Sequence, residues 1–307
     1  MPSDPEIKGR IFSIARASGE DGPGIRTTLF LKGCPLQCIW CHSPQSQGSE
    51  EPRLTFYENR CIRCGACLEA CSKTLHRVNA EERQILWDDC DHCGKCAEVC
   101  PSNALEMAGD WMTVEQVLDA VNRDIVYYNH SQGGVTFSGG EPTLQPDFLK
   151  VCLKKCKAQG IHTAVDTCGF VKWSVLEELL PHIDLFLFDI KHMDNETHRQ
   201  LTGVTNNLIL ENLSKIDRHG KSIWIRIPLI PDQNDSEKNL RAIAHFVQKL
   251  RGVEKVSLLN YSVAAGAKYP SIGQQYPLGH VNPHDKDKEN KFLDFFSSLS
   301  VNVEVGR

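Results

Sequence analysis

Cys34, Cys38 and Cys41 form the run Cys-x3-Cys-x2-Cys, followed at once by His42. Three thiolates within eight residues can wrap one face of a cubane iron–sulfur cluster. With no fourth cysteine nearby, one iron stays open, and an open position lets a metal bind a substrate directly. A zinc ion completed by His42 is the competing reading of the same spacing. Two more runs, Cys61-x2-Cys64-x2-Cys67-x3-Cys71 and Cys90-x2-Cys93-x2-Cys96-x3-Cys100-Pro101, repeat one pattern. Most of the 14 cysteines thus lie two or three residues from the next, which suits metal or redox chemistry better than long-range disulfide stapling. Two other stretches could do chemistry. Ser138-Gly139-Gly140-Glu141-Pro142 combines a flexible turn with a carboxylate, and Asp189-Ile190-Lys191 sets two charges at the end of an apolar run.

The elements around these residues alternate between strand and helix signals. Strands are predicted at 25–31, 134–137, 161–165, 183–188, 222–227, 255–259 and 301–305. Helices are predicted from Thr113 to about residue 129, and at 146–159, 174–180, 206–218, 236–250 and 285–298. Thr113 and Gln116 make a capping box, and the 183–188 run is apolar on both faces, as a doubly covered strand would be. Such alternation implies a parallel sheet, either a partial or complete barrel or an open doubly wound sheet, with chemistry at the carboxyl ends of the strands. The motifs follow the strands that end near Leu31, Phe137, Val165 and Phe188. Residues 51–102 hold eight cysteines and little periodicity, and read as an inserted small domain. The two runs in it follow the bacterial two-cluster pattern, in which the fourth Cys of each run ligates the other cluster. Cys61, Cys64, Cys67 and Cys100 then hold one [4Fe–4S] cluster, and Cys90, Cys93, Cys96 and Cys71 a second. Fully ligated clusters suit electron transfer. Cys152 and Cys156, four apart on a helix, read as core.

The first run, with Trp40 before its last cysteine, resembles the radical S-adenosylmethionine signature. Asp21-Gly22-Pro23-Gly24-Ile25-Arg26-Thr27 resembles the D-G-P-G-I-R-T element of glycyl radical enzyme activating enzymes, a family that includes the pyruvate formate-lyase activase. The resemblance runs from about Ile11 to the C-terminus outside the insertion. It implies an α/β fold, a partial (β/α)6 TIM-like barrel formed by 1–50 and 103–307, carrying a bacterial-ferredoxin-like insertion at 51–102. It implies that S-adenosylmethionine chelates the open iron held by Cys34, Cys38 and Cys41. Reductive cleavage then yields methionine and a 5′-deoxyadenosyl radical that takes hydrogen from a glycine of a partner glycyl radical enzyme. Gly139, Gly140 and Glu141 match the G-G-E element that binds the methionine amino group. Lys191, in the D-x-K element with Asp189 and Ile190, matches the lysine on the methionine carboxylate. Asp166-Thr167 and Asp189 match a monovalent cation site, Arg226 an arginine near the ribose and carboxylate, and Trp40, Cys41 and His42 line the cofactor. One departure stands out: Leu259-Asn260-Tyr261-Ser262 replaces an L-P-Y-H stretch near the adenosine, so no histidine contact carries over there. The insertion resembles that of activating enzymes of catabolic glycyl radical enzymes, and a flavodoxin or ferredoxin is the implied electron donor.

Bulk properties set the frame. The 307 residues allow a full core, and a net charge of −5 gives no basic field for nucleic acid or anionic membrane. No apolar run reaches the roughly 20 residues of a membrane span, and the polar start lacks a signal-peptide core, so a cytoplasmic, anaerobic enzyme is expected. A radical enzyme acting on a small molecule and a pure electron-transfer protein are the alternatives. The first leaves the D-G-P-G-I-R-T element unexplained, the second the three-cysteine run.

Overall fold

The computed structural model describes residues 7–79 and 83–306. The chain opens with β1 (Lys8–Ser18), which turns back through 19–25 into β2 (Arg26–Leu31), antiparallel to it. The insertion follows: β3 (Arg53–Phe56), β4 (His76–Val78), β5 (Arg83–Ile85) and β6 (Leu105–Ala108). The strand β7 (Asp110–Thr113) returns to pair with β1. Six strands then alternate with helices: β8 (Gly134–Gly139), β9 (His162–Thr167), β10 (Leu185–Asp189), β11 (Ser222–Leu229), β12 (Val253–Asn260) and β13 (Asn302–Gly306). The sheet order is β13-β12-β11-β10-β9-β8-β2-β1-β7, with β2 and β8 to β13 parallel. Its ends, β13 and β7, do not pair with each other, so this is a curved partial barrel.

The seven parallel strands are those predicted. β1 and β7 were not, because both carry exposed polar residues: β7 is the sheet's edge and β1 lies next to it. Helices pack apolar stripes on the sheet: Asn207–Arg218 buries Ile209, Leu213 and Ile216, and Pro146–Ala158 buries Phe148, Leu149, Cys152, Leu153 and Cys156. Cys152 and Cys156 are therefore core residues. Thr113 makes its capping box with Gln116, at 3.1 and 2.8 Å. The helix it starts ends at Asn122 and a second runs Ile125–Ser131. The chain bends between them at Asp124, whose carboxylate takes Thr27 and Arg16. A further helix, Asn195–Thr202, was not predicted; it is mostly polar and buries only His198, Leu201 and Thr202.

The D-G-P-G-I-R-T stretch lies inside this framework. Arg26 is fully buried and donates to Thr136 Oγ1 (2.6 Å), Val135 O (2.6 Å) and Pro23 O (3.1 Å), tying the turn to the start of β8. Burial lowers its pKa to about 10, which still leaves it charged at neutral pH.

In the insertion, β3 pairs with β6 and β4 with β5. Its two halves repeat one backbone: Arg63 and His92, Gly65 and Gly94, and Thr74 and Asn103 all adopt left-handed φ at the same interval along the chain. Leu54, Ile85 and Leu105 form its small core with the buried Cys67 and Cys96. The insertion leans on the rim of the barrel through Trp87, whose ring covers Gly273. A Cβ at Gly273 would lie 2.1 Å from it. Among the described residues no helix is long and apolar enough to cross a membrane.

Candidate metal and cofactor centre

Gly33 leaves β2 with φ of 101°, a conformation that favours glycine, and turns the chain into the first cysteine run. Cys34 and Gly48 exchange backbone hydrogen bonds of 2.9 and 3.0 Å, closing the loop that carries Cys34, Cys38 and Cys41. The rest of the chain braces it: Gln37 N–H donates to Thr202 O (2.7 Å), Ile39 N–H to Leu201 O (3.1 Å) and Lys268 Nζ to His42 O (2.8 Å). Trp40 and Cys38 are buried, and all three cysteines pack with Leu36, Leu201, Ile230, Tyr261 and Cys168. Burial pushes the Cys38 thiol up to about 12 and raises Cys34 and Cys41 as well. Three ligating thiolates in such a pocket need a metal's positive charge. Burial also holds His42 below its usual pKa, helped by Lys268 and Arg226.

Among the described residues, no three His, Cys, Asp or Glu side chains converge closely enough to share one ion. Cys34, Cys38, Cys41 and His42 are thus not gathered around a single point, as the four ligands of one tetrahedral zinc ion would be. A cubane attaches each thiolate to a different iron and has no such need, and the all-sulfur donor set suits it.

The wall beside this loop is built by the ends of β8, β9, β10 and β11. Gly140 packs on the loop itself: a Cβ there would come within 2.0 Å of Gly33 O and 3.1 Å of Cys34 Cβ. Glu141 N–H donates to Gly33 O at 2.7 Å. The glycines thus let the β8 turn approach the cysteine loop. The Glu141 carboxylate is fully buried and accepts from Thr143 N–H (3.1 Å), Thr143 Oγ1 (2.7 Å), Thr167 Oγ1 (2.8 Å) and Cys168 N–H (2.8 Å). These bonds lock the ends of β8 and β9 together. Ile190 likewise turns inward. Its side chain lies in the main core and its N–H donates to Arg226 O at 2.9 Å.

The charged residues do converge. Lys191 Nζ lies 2.7 Å from Asp189 Oδ2, and Arg226 Nη1 lies 3.1 Å from Asp166 Oδ2. Arg226 also comes within 4.0 Å of Asp189 and 3.9 Å of Asp21. Ser138 Oγ donates to Asp166 at 2.7 Å. Burial works against the Lys191 ammonium, but Asp189 together with the nearby Cys38 and Cys168 outweighs it and raises Lys191 well above the usual range. Burial lifts the Asp166 carboxyl to about 6; Arg226 opposes the shift and Asp189 adds to it. Lys191 lies close enough to Cys38 and Cys41 to favour their thiolates. Asp21, Cys168 and Lys268 are members of this constellation that spacing did not reveal, since each is brought in by a different strand end or loop. Asn260 and Ser262, at the departure noted above, serve local structure: Asn260 donates to His284 O (3.1 Å) and Ser262 caps the turn Val263–Lys268.

The insertion holds two small pockets, partly open to solvent. Cys61, Cys64, Cys67 and Cys100 line one and Cys71, Cys90, Cys93 and Cys96 the other, each with a cavity volume of about 20 Å³. Each is walled by three cysteines of one run and the fourth of the other. Backbone N–H groups of Leu105, Ser102 and Ala104 outweigh burial at Cys100 and lower its pKa.

Comparison with known proteins agrees with this picture. The Radical SAM superfamily model matches residues 87–243, about half the chain, and a 4Fe-4S dicluster domain model matches residues 53–101. The choline trimethylamine-lyase activating enzyme of Oleidesulfovibrio alaskensis is 38% identical over 291 residues, covering 92% of this chain and 94% of that protein. The (2S)-3-sulfopropanediol dehydratase activating enzyme of Klebsiella oxytoca is 37% identical over 308 residues, covering 97% of each. In fold, a radical SAM methyltransferase from Sphaerobacter thermophilus superposes with a TM-score of 0.53 over 96% of this chain and 76% of that one, at 13% identity. Likeness at this identity over nearly the whole length, with a family model across half of it, shows that the chain belongs to the glycyl radical enzyme activating enzymes of the radical SAM superfamily.

Proposed function

We propose that this protein activates a catabolic glycyl radical enzyme by reductive cleavage of S-adenosylmethionine, using three [4Fe–4S] clusters. Cys34, Cys38 and Cys41 would hold the first, and the two cysteine-lined cavities of the 51–102 insertion the others. The first cluster, when bound, supplies the electron that splits S-adenosylmethionine into methionine and the 5′-deoxyadenosyl radical, which takes hydrogen from the partner's glycine. The observation that carries this reading is the placement of three thiols, Cys38 buried and Cys34 and Cys41 half-buried, close to the Lys191–Asp189 pair at the carboxyl ends of the strands. Lys191 stays protonated and offers its charge to a methionine carboxylate. Arg226, braced by Asp166, stands ready for the ribose side. Glu141 fixes the Gly139-Gly140 turn against Cys34. Trp40 and its apolar neighbours keep water from the cysteine loop. Asp166, Asp189 and Asp21 set three carboxylates against the two cations Arg226 and Lys191, which leaves a negative charge that a monovalent cation beside Asp166 and Asp189 would balance. A flavodoxin or ferredoxin donor and a cytoplasmic, anaerobic setting complete the proposal.

The test is anaerobic. Reconstituted protein should bind four irons for each of three clusters. With reductant and S-adenosylmethionine it should release 5′-deoxyadenosine, and with its partner it should give a glycyl radical signal in electron paramagnetic resonance. Cys38→Ala should abolish 5′-deoxyadenosine formation. Zinc in place of the first cluster, or no cleavage by the reduced holoenzyme, would refute the proposal. Cleavage without any glycyl radical on the partner would instead favour a small-molecule substrate.

A further inference from the structure

Arg83 begins β5, half-buried on the wall of the cavity lined by Cys61, Cys64, Cys67 and Cys100. Its Nη2 donates to Cys67 Sγ at 3.6 Å and to His76 Nδ1 at 2.9 Å, and its Nη1 donates to Gln84 O at 2.7 Å. The guanidinium lies 4.7 Å over the Phe56 ring, and among the described residues its buried Nε has no hydrogen-bond partner. Three contacts and a ring thus hold a permanent cation against one ligand sulfur. The neighbouring cavity is different. Its cations, Lys73 and Lys95, are exposed to water, and Lys73 is neutralised by Asp91 at 3.2 Å. His76, buried on its wall, adds no charge: Arg83 can only donate, so Nδ1 accepts and the ring proton sits on Nε2.

One-electron reduction of a cluster adds one negative charge to the cubane. A fixed cation and an N–H donor on a ligand sulfur stabilise the reduced form and raise the potential, and exposed lysines do so far less because water screens them. We propose that Arg83 sets the two insertion clusters at unequal potentials, making the Cys61/Cys64/Cys67/Cys100 cluster the better electron acceptor. The proposal rests on the reading above that the insertion holds two clusters.

The experiment separates the two claims. In the full chain with Cys34, Cys38 and Cys41 changed to alanine, only the insertion clusters remain, and iron analysis counts them. Potentiometric titration followed by electron paramagnetic resonance then measures their midpoints. With both clusters present, Arg83→Gln should weaken reduction of one cluster at least tenfold, a fall of about 59 mV for a one-electron couple, and leave the other within threefold. Arg83→Lys, which keeps the charge but loses the fork, should fall between. Unchanged midpoints, equal falls in both, or loss of four irons on Arg83→Gln would overturn the proposal. The last result would make Arg83 a structural anchor only. A parent protein lacking two clusters would refute the two-cluster reading itself.

Discussion

The Glu141 carboxylate takes four donors from Thr143, Thr167 and Cys168, so Glu141→Gln would turn an amide NH2 group toward hydrogens it cannot accept. This change should cost about 2–4 kcal/mol, read as a lower urea midpoint. Asp166 makes a pH prediction. Its folded pKa is raised, so the folded state keeps a proton that the unfolded chain releases. Raising the pH through about 4 to about 6 therefore costs stability, and the loss levels off above pH 6. Asp166→Asn should flatten the urea midpoint across that window; an unchanged slope would show that Arg226 already holds Asp166 ionised. At this scale the sequence was readable where a residue type has one use and obscure where it has two. The cysteines of the insertion line cavities in the sets that the ferredoxin pattern suggests. Glu141, singled out for its charge, also ties β8 to β9, and Cys168 packs with the first cysteine loop although no spacing linked them.

Seven parallel strands were legible because burial on both faces leaves nearly continuous apolar runs, as in Leu185–Asp189. The antiparallel strands β1 and β7 and the helix Asn195–Thr202 were not, since their positions come from pairing and capping and not from an apolar stripe. Asp194 caps that helix by accepting from Thr197 N–H at 2.9 Å, and the helix's last turn braces Gln37 and Ile39 of the cysteine loop. Element packing also explains the glycines. Gly140→Ala would force Gly33 and Cys34 aside, because the new methyl has no room against Gly33 O. Iron should fall selectively at the first site, seen as loss of the signal that responds to S-adenosylmethionine while the insertion clusters remain. Equal loss at all sites would point to general unfolding.

At the scale of the molecule, a partial barrel carries a small, duplicated, cysteine-rich unit at its rim. If that unit relays electrons, replacing Cys93 and Cys96 by alanine should slow S-adenosylmethionine cleavage with a protein donor several-fold or more. Cleavage with dithionite should change less. Equal rates with both donors would make the insertion a docking module. The segment from Lys268 to Gly273 reaches both parts: Lys268 holds the carbonyl of His42, and Gly273 lies beneath Trp87. It works as a splint with one end on the loop of Cys34, Cys38 and Cys41 and the other under the cysteine-rich insertion. A protein that docks on this stretch and shifts it would disturb both contacts at once.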